Sequence, residues 1–275
     1  MTQTLVPRSV PAGVERLPGV FLAVCRSEWT KLRTVRSTMW ALVFTVISII
    51  GLGVLLTALV VGQWDHRSLA EVTGFDPLLY SYAGLNVAQL SIGVLGVLVM
   101  TSEYSTGVIR LTLGATPQRR LLLGAKVLTF SVVVAVVSLI SCVTVFFICQ
   151  ALLASKHVGV SITDPGVLRA VIGGAVKMVL IGVIAVGVGT IVRHTAGAVA
   201  ILFAALLIIP GLVQLLPAPW NNDITLYLPS SAGAAMSAVV RFPNLLAPAS
   251  GFLVLFGYAA ATIGAAMVLL VRRDA

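Results

Sequence analysis

The chain has 275 residues, of which 59% are hydrophobic and 10% charged, and its mean hydropathy is +1.07. A soluble domain carries about 25% charged residues, so a water-facing surface cannot be built from this composition and the lipid bilayer is the solvent. The formal net charge of +9 does not point to nucleic acid, because the basic residues cluster beside apolar runs, where membrane topology and anionic lipid account for them.

In chain order, Met1 to Pro18 holds three prolines and no apolar core, which does not fit a cleavable signal. Residues 1–19 read as a flexible cytoplasmic N-terminus. The run Val20–Cys25 is too short for a lipoprotein signal, and Val24 is too large for its cleavage site. Residues 20–39 read as an amphipathic interfacial helix, with Phe21, Val24, Cys25, Trp29, Leu32 and Val35 on one side and Arg26, Ser27, Thr30, Arg33 and Thr34 opposite. Glu28 falls in the middle of the apolar side, where a carboxylate requires a cation such as Lys31 or a contact with protein.

Apolar runs long enough to cross about 30 Å of hydrocarbon follow at about Trp40–Gly62, Tyr80–Thr101, Val127–Ala154, Ala170–Val192, Ala196–Leu216 and Ser250–Val271. The expected fold is an all-α polytopic membrane protein with a single transmembrane domain, 40–271. Six crossings place both termini on one side, which then receives 13 of the 18 basic residues. The excess of positive charge makes that side cytoplasmic, including residues 272–275.

Between the second and third spans, residues 102–126 combine four cations with Val108, Ile109, Leu111, Leu113 and Leu121–Leu123. That much apolar surface in a loop predicts a short helix docked on something. Residues 217–249 carry five prolines and a small-residue stretch, Ser230 to Val240, too short to span. A re-entrant or surface helix is expected there, started by Ser230 or Ser231 after a break at Pro229.

The sequence has no G-x-x-x-x-G-K-[ST] phosphate loop and no H-E-x-x-H, G-x-S-x-G or C-x-x-C motif. Catalysis by this chain alone is not expected. Cys142 and Cys149 share a helix face with no His or carboxylate in their run, which fits packing and not a metal. Polar stripes occur within spans: Asn86 and Gln89 with Gly93 and Met100 on the second, and Ser131, Ser138 and Cys142 on the third. Such stripes serve helix packing or line a substrate path. Asn86, Gln89 and Ser138 are the path candidates, together with Lys177, a cation inside the fourth span that either snorkels outward or meets a lipid headgroup or acidic substrate. Gly173, Gly174, Gly182, Gly187 and Gly189 suggest close packing or a deformable helix, and Pro210–Gly211 suggests a kink.

Three segments taken together, Ser27–Trp40 (SEWTKLRTVRSTMW), Ser102–Lys126 (SEYSTGVIRLTLGATPQRRLLLGAK) and Tyr227–Met236 (YLPSSAGAAM), resemble the actinobacterial permeases of the type-2 ABC exporter family. The likeness spans essentially the whole chain in order. It implies a permease that pairs with a second copy or a paralogue and binds two copies of a separately encoded ATPase, where ATP and magnesium reside; the chain itself carries no cofactor. It further implies that the N-terminal helix and the loop after the second span contact the ATPase, the latter as a coupling helix, and that short helices precede the last span in the outer leaflet. Glu28, Glu103, Gly107, Arg110, Pro117 and Arg119 occupy the matching positions. The expected activity is outward movement of an amphipathic substrate (drug, antibiotic, lipid or peptide) across a bacterial cytoplasmic membrane. A non-transporting anchor or sensor subunit, or a secondary transporter, is the alternative.

Overall fold

The computed structural model describes residues 17–66, 75–108, 118–218, 220–240, 242 and 245–272. They form helices α1 (Leu17–Thr34), α2 (Arg36–Gly62), α3 (Pro77–Ser81), α4 (Leu85–Ser105), α5 (Arg119–Ala154), α6 (Val167–Val192), α7 (Thr195–Val213), α8 (Trp220–Tyr227), α9 (Pro229–Ser237) and α10 (Pro248–Arg272). No strand occurs among the described residues. Six helices, α2, α4, α5, α6, α7 and α10, are long and apolar enough to cross a membrane. The chain is an all-α polytopic membrane protein.

α6 is the centre of the bundle, with two thirds of its most apolar window buried, against 22% for α7 and for α10. In lipid there is no hydrophobic drive between apolar helices, so close backbone approach has to hold them together. The α6 glycines provide it toward four neighbours: a Cβ at Gly173 would strike Met236 of α9, at Gly182 Phe130 of α5, at Gly187 Thr262 of α10, and at Gly189 Val97 of α4. Packing, not deformability, is therefore their use. Cys142 and Cys149 are buried free thiols in the apolar core.

Several boundaries differ from expectation. The second crossing starts at Leu85 and not Tyr80, because Asp76 caps a separate helix, α3, through the Leu78 N–H at 2.8 Å. The helix that carries the third crossing begins at Arg119, about two turns before Val127. α5 has 36 residues, about 54 Å at 1.5 Å per residue, so it outruns the hydrocarbon, and its first two turns, with Leu122, Leu123 and Lys126 buried, pack against other helices of the chain. Arg119 to Lys126 thus belong to a helix and not to a loop.

α7 contains a π turn, Ala204–Ile208, immediately before Pro210. A proline ring crowds the carbonyl four residues back, and widening the preceding turn relieves that clash. A second π turn, Ser48–Leu52 in α2, has no proline to announce it. Of the Ser230 to Val240 stretch only Ser230 to Ser237 is helical, and that helix, α9, starts on Pro229, after Leu228, without a serine cap. Proline fits the first helical position because that N–H has no intrahelical partner to lose.

Candidate functional site

α1 presents the stripe Phe21, Val24, Cys25, Glu28, Lys31 and Leu32 to the protein, while Leu22 and Trp29 stay exposed on its other sides. It runs with helical spacing to Val35, whose extended backbone (φ −77°, ψ 118°) separates α1 from α2. That break lets α1 lie against the first turns of α5 and not continue the span. Glu28 is thereby carried into the interior, 4% exposed.

It arrives opposite Lys126, which is 1% exposed. Lys126 Nζ donates to Glu28 Oε2 at 2.7 Å and to Glu103 Oε1 at 2.6 Å. Lys31 Nζ donates to Glu28 Oε1 at 2.8 Å and to the same Glu103 oxygen at 2.7 Å. The four side chains close a ring of alternating charge drawn from α1, the end of α4 and the start of α5. Two carboxylates and two ammoniums cancel, which is the condition for burying charge at all. Charge-assisted hydrogen bonds of this length are about twice as strong as neutral ones. Burial works against the Lys31 charge, but hydrogen bonds to Glu103 and Glu28 outweigh it and raise its pKa above the usual 10.5. Glu103 Oε2 is buried without a hydrogen bond among the described residues. Beside the ring lies a cavity of about 280 Å³ walled by Leu32, Leu95, Leu98 and Val99.

Further contacts stitch the same end. Arg119 Nη1 donates to the Leu270 carbonyl of α10 at 2.9 Å. The Arg193 guanidinium stands 5.1 Å from the centre of the Tyr104 ring, and Thr195 Oγ1 donates to Thr101 Oγ1 at 2.9 Å. α4 ends at Gly107, whose φ of +72° is the left-handed conformation that stops a helix and favours glycine. The stretch 109–117 that follows, with Arg110 and Pro117, lies outside the described residues. α4 ends two residues after Glu103 and α5 starts at Arg119, seven residues before Lys126, so the ring ties together the two helices that flank that stretch.

Of the coupling candidates, the structure brings Glu28 and Glu103 together. Both carboxylates are buried in contacts within the chain, and the Lys31 pairing expected for Glu28 is present. Arg119 ties α5 to α10 and is not a loop residue. Lys126 completes the ring and was not singled out by sequence; its signal was a lone cation in the run LLLGAKVLTF, where an unpaired charge is not tolerated.

Of the path candidates, Asn86 and Lys177 meet at the opposite end of the bundle, where Lys177 Nζ donates to Asn86 Oδ1 at 3.2 Å. Lys177 is 1% exposed and does not snorkel. Gln89 and Ser138 are buried, and their Oε1 and Oγ make no hydrogen bond; neither lines the cavity that holds Asn86 and Lys177. Also at that end, Lys156 pairs with Asp65 at 2.6 Å, and the Lys156 ammonium holds the Asp65 carboxyl below the usual carboxylate range. Among the described residues no group of three or more His, Cys, Asp or Glu could hold a metal ion.

Compared with known proteins, the chain matches no family model and no curated relative.

Proposed function

We propose that this chain is the membrane-spanning permease subunit of a type-2 ATP-binding-cassette exporter. It works in pairs in a bacterial cytoplasmic membrane, both termini inside, and is driven by two copies of a separate ATPase. The observation that carries the reading is the buried ring Glu28–Lys31–Glu103–Lys126. It fastens the interfacial helix α1 to both helices that flank residues 109–117, so a push on either element reaches α4 and α5 as one body. A loop with no mechanical role would not need its two roots and a neighbouring helix locked by three buried charges and the half-exposed Lys31.

The energetics fit a driven subunit. A conformational equilibrium shifts only through something that binds its two states differently, and the sequence has no phosphate-cradling loop to do that with ATP. Binding and hydrolysis of ATP with magnesium are assigned to the partner, and the transported molecule is an amphipathic compound moved outward.

The test is co-expression with an ATP-binding-cassette ATPase from the same genome, followed by co-purification and substrate-stimulated hydrolysis in liposomes. Glu103→Gln and Arg110→Ala should lose stimulated hydrolysis or the complex itself while still inserting into the membrane. Unchanged complex formation together with unchanged transport would overturn the coupling role. An ATPase that binds but moves no substrate would instead define an anchor subunit.

A further inference from the structure

The end of the bundle opposite the charge ring holds a buried cation that the coupling reading leaves unused. Lys177 stands ten residues into α6 from Val167, about 15 Å along its axis. Its stem runs against α9: a Cβ at Gly233 would come within 2.8–2.9 Å of the Lys177 Cγ, Cδ and Cε. The glycine therefore makes room for the lysine chain, and α9 closes the outward route by which a lysine ordinarily reaches water.

The ammonium has three donors and one hydrogen-bond acceptor among the described residues, the neutral amide oxygen of Asn86. No carboxylate oxygen of those residues lies within 4.0 Å of it. Asp76 lines the same cavity, but its carboxylate is committed to backbone, accepting from Leu78 N at 2.8 Å and from Val239 N and Val240 N at 3.1 Å each. The charge ring at the other end shows how this fold buries cations when it neutralises them itself. Here it buries one with no carboxylate in contact, the Asp76 charge lying in the same cavity but turned to backbone N–H groups.

The surroundings say what kind of anion fits. Lys177 and Asn86 line a cavity of about 70 Å³, roughly the liquid volume of two waters and the size of a single oxyanion group. A larger cavity of about 310 Å³ adjoins it, sharing Ala238, Phe242 and Leu245. Its walls are apolar apart from Arg169, whose guanidinium is held by the Met236 and Ala238 carbonyls at 3.4 and 2.9 Å and adds a second positive charge. A small chamber that holds a buried ammonium and an amide, opening on a larger apolar one, is shaped for a molecule with an anionic head and an apolar body.

We infer that Lys177, with Asn86, forms a binding site for the phosphate or carboxylate head of an amphipathic molecule whose apolar part occupies the chamber lined by Arg169, Ala238, Phe242 and Leu245. The site is defined by the cavities and by Lys177 and not by coupling to an ATPase, so its test uses the permease without one.

The full-length chain is reconstituted in phosphatidylcholine nanodiscs and titrated with short-chain phosphatidylglycerol, short-chain phosphatidylcholine and inorganic phosphate, with binding read by native mass spectrometry. The phosphatidylglycerol should bind at least about tenfold tighter than either comparison, a factor of ten being about 1.4 kcal/mol. Lys177→Gln should lose that preference and Lys177→Arg should keep most of it. Leu245→Trp, which fills the apolar chamber and leaves Lys177 in place, should lose binding as well, and it decides the matter if Lys177→Gln fails to fold. Equal affinity for the two lipids, undiminished binding in Lys177→Gln, or undiminished binding in Leu245→Trp would each overturn the site. Inorganic phosphate binding as tightly as the lipid would overturn its amphipathic character.

Discussion

Lys126 of α5 donates a 2.7 Å hydrogen bond to Glu28 of α1 across 98 residues of chain, and this contact decides what the amphipathic helix is for. Without it, α1 is a surface helix resting in lipid by its apolar sides. With it, α1 is fastened to the root of a transmembrane helix. Glu28 and Lys126 are both nearly inaccessible, so neither can relax into water if the other is lost.

Lys126→Met should therefore destabilise the purified chain by about 3–5 kcal/mol, the range for removing one partner of a buried ion pair. Two carboxylates would be left facing a single, half-exposed Lys31. Combining Lys126→Met with Glu28→Gln and Glu103→Gln removes the stranded charge and should recover most of the loss. Thermal melting of the single and triple variants in detergent measures both. A triple variant no more stable than the single one would mean that the ring contributes packing and not charge balance.

The crossings were legible in the sequence because spanning the hydrocarbon demands about 20 apolar residues in succession, a run that helices facing water on one side do not need. The start of α5 was not, since Arg119, Arg120 and Lys126 lower the local hydropathy of turns that project beyond the hydrocarbon and need no apolar run. Glu28 was legible as an anomaly on an apolar face. Its partner Lys126 was not, because a pair so far apart in the chain leaves no periodic signature. Pro210 foreshadowed a disturbance in α7, whereas the π turn at Ser48–Leu52 has no local residue that requires it. Lys177 was visible as a charge in a span, but the choice between snorkelling and burial depended on α9 lying over it through Gly233, a tertiary contact.

The pH dependence of the ring follows from Lys31. Its folded pKa is raised above 10.5 because the hydrogen bonds to Glu103 and Glu28 outweigh its desolvation. A raised pKa means that its stabilising contribution is complete below the unfolded value and is lost as pH climbs through the folded one. Melting temperature should thus show no Lys31-dependent change between about pH 6 and 9, and the wild type should converge on Lys31→Gln above pH 10.5. A wild-type advantage that vanishes near neutrality would contradict the assignment.

Gly107 offers a test of how the segment after α4 is aimed. Its φ of +72° costs a residue with a Cβ about 1–2 kcal/mol, while asparagine tolerates the conformation better. Gly107→Ala should leave membrane insertion unchanged and lower the melting temperature by only a few degrees, yet reduce substrate-stimulated hydrolysis by the proposed partner ATPase, with Gly107→Asn closer to wild type. Equal hydrolysis in all three proteins would separate the turn from coupling.

Asp76 is the anchor for the segment roofing the opposite end. It is 1% exposed and caps α3 through Leu78 N while holding Val239 N and Val240 N, so a single carboxylate joins the approach to α4 to the chain leaving α9. Hydrogen bonds to a charged group are worth about 1.5–3 kcal/mol each, and removing the acceptor strands three buried or half-buried donors at once. Asp76→Ala should therefore speed hydrogen exchange at Val239 and Val240 by at least about tenfold, since each 1.4 kcal/mol of lost protection is one factor of ten. Exchange at Glu103 and Lys126, at the far end, should not change. Asp76→Asn keeps one acceptor oxygen and should fall between the two. If both amides remain as protected in Asp76→Ala as in the wild type, the segment is held by Arg169 and its carbonyl contacts at Met236 and Ala238, and the same measurement on Arg169→Gln would then show the acceleration.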